Sequence, residues 1–362
     1  MTSMHFGGIV IHILKVYKGE NIMKKIIALL LAAMLVLSMA ACGAQTQPES
    51  GNQGEAQTNT PADTADGKFT IGICQFLPHP ALDKATEGFK AAVIDGLGEE
   101  NVTFDEQNAA GEASNCSTIV NGLVASKVDL IMANATPAVA AAYNATEEIP
   151  IVGTSVTEYG VALGIEDFTG TVGSNVSGTS DLADLALQAE MVTQWVPNAK
   201  KVGLLYCSAE ANSKYQVNEV QKALEGKGLE CKQFAFADTS DLMAVTQEAA
   251  DFSDVIYIPT DNTAANNASA IDSVCRPAGV PIIAGEAGIC AVAGIATMSI
   301  DYYDLGYKTG EMAVDILKNG ADITTMKIEY TPADKVAYLY NEEICTELGI
   351  TPLEGYDKLT AE

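Results

Sequence analysis

From residue 69 onward, short apolar runs alternate with stretches of helical periodicity. Phe69 to Cys74 reads as a strand buried on both faces, and Leu82, Ala85, Phe89, Val93 and Leu97 then recur at helical spacing. Val102 to Glu106, Asp129 to Ala133 and Pro150 to Thr154 read as three more strands, with helices over 113–126 and 137–144 between them. The pattern restarts after Asn175. A helix is predicted over 180–195, capped by a Ser or Thr before Asp181. Strands follow at Lys201 to Cys207, Leu229 to Phe236, Asp254 to Pro259 and Val280 to Ala284, with helices over 214–224, 241–251 and 264–276. A strand at Ala296 to Ser299 and an amphipathic helix over 304–317 complete the pattern. Alternation of this kind predicts parallel sheets covered by helices on both faces. Its restart predicts an α/β chain of two doubly wound lobes.

The chain before residue 69 has a different character. Residues 23–42 read MKKIIALLLAAMLVLSMAAC: two Lys, twelve apolar residues, then small residues before a Cys. This is the pattern of a secretory signal peptide over 23–41. The apolar run is shorter than the ~20 residues of a membrane span. Its end resembles a bacterial lipobox, with Met39 where Leu is usual, so Cys42 is the expected lipidation site and new N-terminus. Residues 1–22 read as a non-native extension upstream of a true start at Met23, because Lys18-Gly19-Glu20 is encodable by a sequence resembling a ribosome-binding site. From 43 to 67 there is no bulky apolar residue, and Gln, Thr, Pro, Gly and acids dominate. Such a segment cannot bury enough surface to order itself. It reads as a tether with an r.m.s. reach of roughly 25–30 Å.

Composition narrows the function. The formal charge is −27 over 362 residues; without residues 1–41, which carry four Lys and one Glu, it is −30 over 321. That length suits two domains, and that charge repels nucleic acid and anionic lipid. Beyond residue 41 there is one His (His79), one Arg (Arg276) and one Trp (Trp195). A single His excludes a multi-His metal site and argues against a catalytic triad. Arg276, just before Pro277 at a helix end, is poorly placed to clamp an anion. A ligand carboxylate would therefore meet backbone N–H groups, hydroxyls or Lys. Seven Cys besides Cys42 show no CxxC spacing, which argues against zinc. Walker and dinucleotide-type glycine loops are absent. No cofactor, no metal and no catalytic residue is expected.

In open parallel sheets, ligands bind beyond the C-terminal ends of strands. The residues found there include Phe76 and His79 after the first strand, Thr136 after the third, and Ser155, Thr157 and Tyr159 after the fourth. In the second unit they are Ser208, Asn212 and Ser213, then Asp261 and Asn262, then Glu286. These junctions are rich in hydroxyl, amide and carboxylate groups and, His79 apart, carry no cation. They suit a small polar or zwitterionic ligand with an ammonium group. Each also has an ordinary structural reading. Ser213 and Thr136 are of the type that caps helices, and His79 between two prolines suits a turn. Asp261 and Glu286 each follow an apolar strand, where an unpaired carboxylate is expensive. A ligand ammonium, a backbone amide or a Lys would each serve as partner. Trp195 reads as packing against its lobe.

Seven segments in order resemble one known family. They are His79-Pro80-Ala81-Leu82-Asp83 with Gly88-Phe89, Thr136-Pro137, Ser155-Val156-Thr157, Asn175-Val176-Ser177-Gly178, Glu210-Ala211-Asn212-Ser213, Thr260-Asp261-Asn262-Thr263 and Asp301-Tyr302-Tyr303. Together they resemble the ABC-transporter substrate-binding lipoproteins related to tryptophan- and tyrosine-binding proteins, from about Phe69 to the end. One departure is Glu158, where the family's usual residue is Asp. The resemblance implies a type I periplasmic-binding-protein fold whose lobes close about a hinge. It implies crossings near 174–180, 286–295 and 325–335, with lobe 1 at 68–176 plus 290–328 and lobe 2 at 177–289 plus 329–362. It further implies an aromatic amino acid as ligand. Its ammonium would meet Asp261 or Glu286, its carboxylate the groups near Thr136, Ser155 and Thr157, and its ring Phe76, Tyr159 and Tyr302. The implied partners are the permease and ATPase subunits of an importer, and the membrane through a lipid anchor on its outer face, with the protein acting as a monomer. A nucleoside- or sugar-binding protein of the same fold is an alternative. A sensor docking on a membrane receptor is another.

Overall fold

The structure is a computed structural model that describes residues 68–360. The expected N-terminal extension, signal peptide, lipidation at Cys42 and tether lie outside the described residues. The chain begins with β1 (Phe69–Gln75), α1 (Pro80–Leu97), β2 (Val102–Asn108), α2 (Ala113–Ala125), β3 (Leu130–Asn134), α3 (Thr136–Ala145), β4 (Ile151–Val156), α4 (Tyr159–Leu163) and β5 (Val176–Ser180). It continues through α5 (Leu185–Trp195), β6 (Lys201–Cys207), α6 (Ala211–Gly226), β7 (Glu230–Phe236), α7 (Leu242–Phe252), β8 (Val255–Ile258), α8 (Asn262–Asn266), α9 (Ala268–Ala278), β9 (Ile282–Ala284), α10 (Ala287–Val292) and β10 (Ala296–Ser299). It ends with α11 (Tyr302–Asn319), β11 (Glu329–Tyr330), β12 (Ala337–Tyr340), α12 (Glu342–Leu348) and β13 (Asp357–Lys358).

Two sheets result. The first has the order β11-β5-β4-β3-β1-β2 and is parallel throughout. The second has the order β13-β12-β10-β9-β8-β6-β7, with β12 antiparallel to β10 and the remaining pairs parallel. Each sheet is buried on both faces, which is why its central strands are apolar runs rather than alternating ones. In lobe 1, residues of α2, α3 and α4 cover one face, and α1 and α11 cover the other. In lobe 2, α7 to α10 cover one face, and α5, α6 and α12 the other. Trp195 packs edge-on against Tyr356 in lobe 2, as its sequence position suggested. All seven described Cys carry free thiols. Among the described residues no helix is long and apolar enough to cross a membrane.

The chain crosses between lobes three times, at 181–184, 300–301 and 331–336. The second crossing lies beyond the expected 286–295 window. The reason is strand pairing: Ala296 and Thr297 pair in parallel with Ile283 and Ala284, which keeps α10 and β10 in lobe 2. Residues 177–180 and 329–330 likewise belong to lobe 1, not lobe 2, through the pairing of β5 with β4 and of β11 with β5.

The helix predicted over 180–195 starts only at Leu185, where the Asp184 carboxylate accepts from Ala186 and Leu187 N–H. What precedes it is β5, with the sequence VSGTS, every residue buried. Small residues are needed here. Gly178 has φ +146, and a Cβ on it would lie 2.1 Å from the Gly153 carbonyl oxygen of β4. The close approach removes the bulky side chains by which a strand is recognised.

Candidate ligand-binding site

A cleft opens between the C-terminal ends of the two sets of strands, where the topology places ligand sites. Lobe 1 lines it with His79, Ala81, Leu82, Ser155 and Thr157. Lobe 2 contributes Asn212, Thr260, Asp261, Asn262, Ala265 and Glu286. Asp181 and Tyr302 stand at the ends of the first two crossings and line it as well. The charged side chains among these are all acidic.

Local backbone geometry aims the lobe 1 groups. The register of β4 against β5 slips between Gly153 and Val156, and Ser155 adopts φ +54, in the left-handed region. A bulge of this kind re-aims a side chain. Ser155 Oγ is buried and has no hydrogen-bond partner. His79 caps α1: its Nδ1 accepts from Ala81 N–H at 3.2 Å. That bond places the ring's hydrogen on Nε2, which bonds to no described residue.

The cleft's carboxylates divide into two kinds. Asp261 caps α8, with Oδ1 accepting from Ala264 N–H at 2.7 Å and Oδ2 from Cys207 N–H at 2.6 Å. Burial, and then the charge of nearby Glu210, raise its pKa against the pull of those N–H groups. Glu286 caps α10, with Oε2 accepting from Gly288 N–H at 2.7 Å and Oε1 from Ile289 N–H. Both carboxylates already hold backbone amides, the second of the partners considered above. Asp181 differs. Its Oδ2 accepts from the Tyr302 hydroxyl at 3.1 Å; the Thr157 hydroxyl lies near the carboxyl, but the buried Oδ1 has no donor in hydrogen-bond geometry. Asp181 is 6% exposed, and burial pushes its carboxyl up to about 6 against the pull of the Thr157 and Tyr302 hydroxyls. Burial and the Asp181 charge raise the Tyr302 phenol well above its ordinary value, so it acts as the donor.

Asn212 offers a second open acceptor. Its Nδ2 donates to Glu210 Oε2 at 3.1 Å, to the Thr260 carbonyl at 3.1 Å and to Ser213 Oγ at 3.3 Å. Its Oδ1 is buried and unpartnered. Glu210 is itself fixed by N–H groups of Asn262 and Thr263, the Asn262 side-chain amide and the Thr263 hydroxyl, at 2.7–3.0 Å. The function of Glu210 is thus to bind the α6 start to the α8 start. Three of the eight orphaned buried side-chain atoms among the described residues (Ser155 Oγ, Asp181 Oδ1 and Asn212 Oδ1) belong to residues that line this one cleft. Such groups are rare in folded proteins and call for a partner.

Of the twelve residues singled out as ligand contacts, the structure brings His79, Ser155, Thr157, Asn212, Asp261, Asn262 and Glu286 to the cleft. Phe76 packs in the lobe 1 core beside Leu77 and Leu82 and forms no wall. Tyr159 is wholly buried, its hydroxyl donating to the Thr179 carbonyl at 3.0 Å. Tyr302 alone of the three suggested aromatics reaches the cleft. Thr136 is the buried first residue of α3 and Ser213 lies in the first turn of α6 beside Asp261, so neither is an N-cap. Ser208 is exposed and donates to the Phe236 carbonyl. Glu158 caps α4 through Val161 N–H. Asp181 was missed, although it directly follows β5, because no strand was read there.

Two α/β lobes, a three-stranded hinge and a cleft of unpartnered polar atoms define a two-lobed ligand-binding protein of the type I periplasmic class. Residues 70–361 match the family described as ABC transporter substrate binding protein, and the chain belongs to that family. It is 34% identical over 335 residues to a tyrosine-binding protein of Clostridioides difficile (strain R20291), covering 92% of this chain and 94% of that one. Among solved structures it is similar to a Streptococcus pneumoniae ABC domain in complex with L-Trp, with TM-score 0.76 and 31% identity over 80% of this chain and 99% of that one. It is also similar to the ligand-free, open form of a substrate-binding protein with adhesive properties from Clostridium difficile, with TM-score 0.62 and 33% identity over 81% and 100%. At nearly equal identity and coverage, the higher score goes to the L-Trp complex.

Proposed function

We propose that this protein captures an aromatic amino acid, tyrosine or tryptophan in the first instance, outside the cytoplasm and delivers it as a monomer to the permease and ATPase of an ABC importer. Cys42 would carry the lipid that holds it at the outer face of the membrane. The observation that carries the ligand class is Asp181 Oδ1, a buried carboxylate oxygen without a partner in a cleft whose charged side chains are acidic. An ammonium group supplies the missing charge and donor. Ser155 and His79 line the same cleft, and the Ser155 hydroxyl and the His79 Nε2–H would be the donors for the carboxylate. Tyr302 supplies ring surface. The similarity to a tyrosine-binding protein and to a protein in complex with L-Trp supports the aromatic choice. The family's role in transport supports a binding function in place of catalysis.

The test is a thermal-shift panel of amino acids, nucleosides and sugars on protein from residue 43 onward. A ligand at 100 times its Kd stabilises by about 2.7 kcal/mol. A shift with aromatic amino acids is expected. A shift confined to nucleosides or sugars would keep the fold and discard the ligand. Release of labelled lipid-modified protein from cells only by detergent would test the anchor.

A further inference from the structure

We infer that Asn212 determines specificity, by demanding a hydrogen-bond donor on the ligand's side chain, and that the site therefore selects tyrosine or tryptophan over phenylalanine. This rests on the aromatic amino-acid reading above. The argument starts from the orientation of the amide. Nδ2 faces three acceptors, of which the Glu210 carboxylate and the Thr260 carbonyl can only accept. The amide cannot be flipped without setting its oxygen against theirs. Glu210 and Thr260 are in turn fixed, Glu210 by four donors from Asn262 and Thr263 and the Thr260 N–H by Gln216 Oε1 at 3.2 Å. Oδ1 is thus held as an acceptor without a partner on a 97% buried residue that lines the cleft from lobe 2.

The donor it lacks must come from the occupant. An amino acid offers two kinds, its ammonium and any O–H or N–H on its side chain. The ammonium has a charged partner at the hinge in Asp181, whereas Asn212 presents a neutral amide oxygen from lobe 2. A neutral oxygen suits a neutral donor: the phenol O–H of tyrosine or the indole N–H of tryptophan. Phenylalanine would close the lobes over an unpaired carbonyl oxygen. Sites built to hydrogen-bond a ligand group discriminate strongly against analogues lacking it, whereas the same sites distinguish apolar groups by size only weakly.

The unmodified protein carries the test, by isothermal titration calorimetry. Tyrosine is compared with phenylalanine and 4-fluorophenylalanine, and tryptophan with 3-benzothienylalanine, in which sulfur replaces N–H at nearly constant shape. The inference expects the better of tyrosine and tryptophan to bind at least about 30-fold more tightly than its donor-free analogue. In Asn212→Leu that ratio should fall below about fivefold, with affinity for the donor-free analogue kept or improved. Equal binding of each pair by the unmodified protein would overturn the inference while leaving the aromatic reading in place. An equal loss for all ligands in Asn212→Leu, with its melting transition intact, would overturn it too and give Asn212 to the ammonium. If none of the aromatic amino acids bound, the functional reading itself would fall, and this inference with it.

Discussion

Tyr302 donates its hydroxyl to Asp181 Oδ2 at 3.1 Å, and this bond joins the first interlobe crossing to the second. Asp181 directly follows β5 of lobe 1, and Tyr302 begins α11 just after the chain returns from lobe 2. A cation bound at the open Oδ1 therefore acts on the hinge itself. Ligand charge and lobe geometry meet in one carboxylate, which gives closure a differential interaction to draw on.

Asp181→Asn should separate binding from stability. Loss of the charge leaves a ligand ammonium buried and unpaired, which costs about 2 kcal/mol or more, so the affinity for a zwitterionic ligand should fall by about 30-fold or more. The ligand-free protein should be as stable as the wild type or more so at pH 7.5, because an ionised carboxylate with an orphaned oxygen has been removed. Calorimetric titration and thermal unfolding check the two halves. A variant that unfolds earlier but binds normally would refute this assignment.

The same carboxyl gives a pH signature. Its folded pKa, about 6, lies above its ordinary value of 3.8, so between those values the folded state holds more proton than the unfolded one. Stability of the ligand-free protein should then fall as pH rises from about 4 to about 6, with this contribution complete above 6. The raised Asp261 carboxyl contributes with the same sign. Ligand affinity should run the other way, weakening up to about tenfold per unit as pH drops below 6, since the ammonium must displace a proton. Titrations at pH 5, 6 and 7.5 on the wild type and Asp181→Asn check this, and the variant's affinity should lose the part of the pH dependence centred near 6.

Asp261 and Ser155 should respond in opposite ways. Asp261→Ala removes the α8 cap and the bond to Cys207 N–H, and should destabilise the protein by about 2–4 kcal/mol. Ser155→Ala removes a hydroxyl that has no protein partner, and should leave unfolding unchanged while weakening binding by about three- to tenfold. Chemical denaturation of both variants, with and without ligand, checks the contrast.

Gly306 tests how closely α1 and α11 must approach. A Cβ there would lie 1.9 Å from the Ala85 carbonyl oxygen, so Gly306→Ala must part the two helices. Overpacking of this kind costs about 1–3 kcal/mol. Because Tyr302 sits one turn earlier on α11, ligand affinity should fall as well. Denaturation and titration of the variant check both effects.

The elements read from sequence and found in the structure are those whose burial is achieved with bulky apolar residues, such as KVGLLYC in β6 and IVGTSV in β4. β5 buries as completely with VSGTS, because Gly178 must pass against Gly153, and its apolar signal is lost. Missing β5 displaced the first crossing and hid Asp181. The candidate site was legible wherever a recognised strand ended, which gave Ser155, Asn212, Asp261 and Glu286. Sequence could not show which acids cap helices and which are left open, since Asp181 and Asp261 both follow buried strands. Only the neighbouring N–H groups distinguish them. Phe76 and Tyr159 were misplaced for a related reason: a residue just past a strand can turn into its own lobe as readily as into the cleft.

The most direct measurement is calorimetric titration of the protein with L-tyrosine and L-tryptophan, beside 3-(4-hydroxyphenyl)propionate and indole-3-propionate. Each analogue keeps the ring and carboxylate and lacks only the ammonium. The account requires that at least one amino acid bind while its des-amino analogue bind about 30-fold more weakly or not at all, and that Asp181→Asn erase the difference. Equal affinity for an amino acid and its des-amino analogue would contradict it.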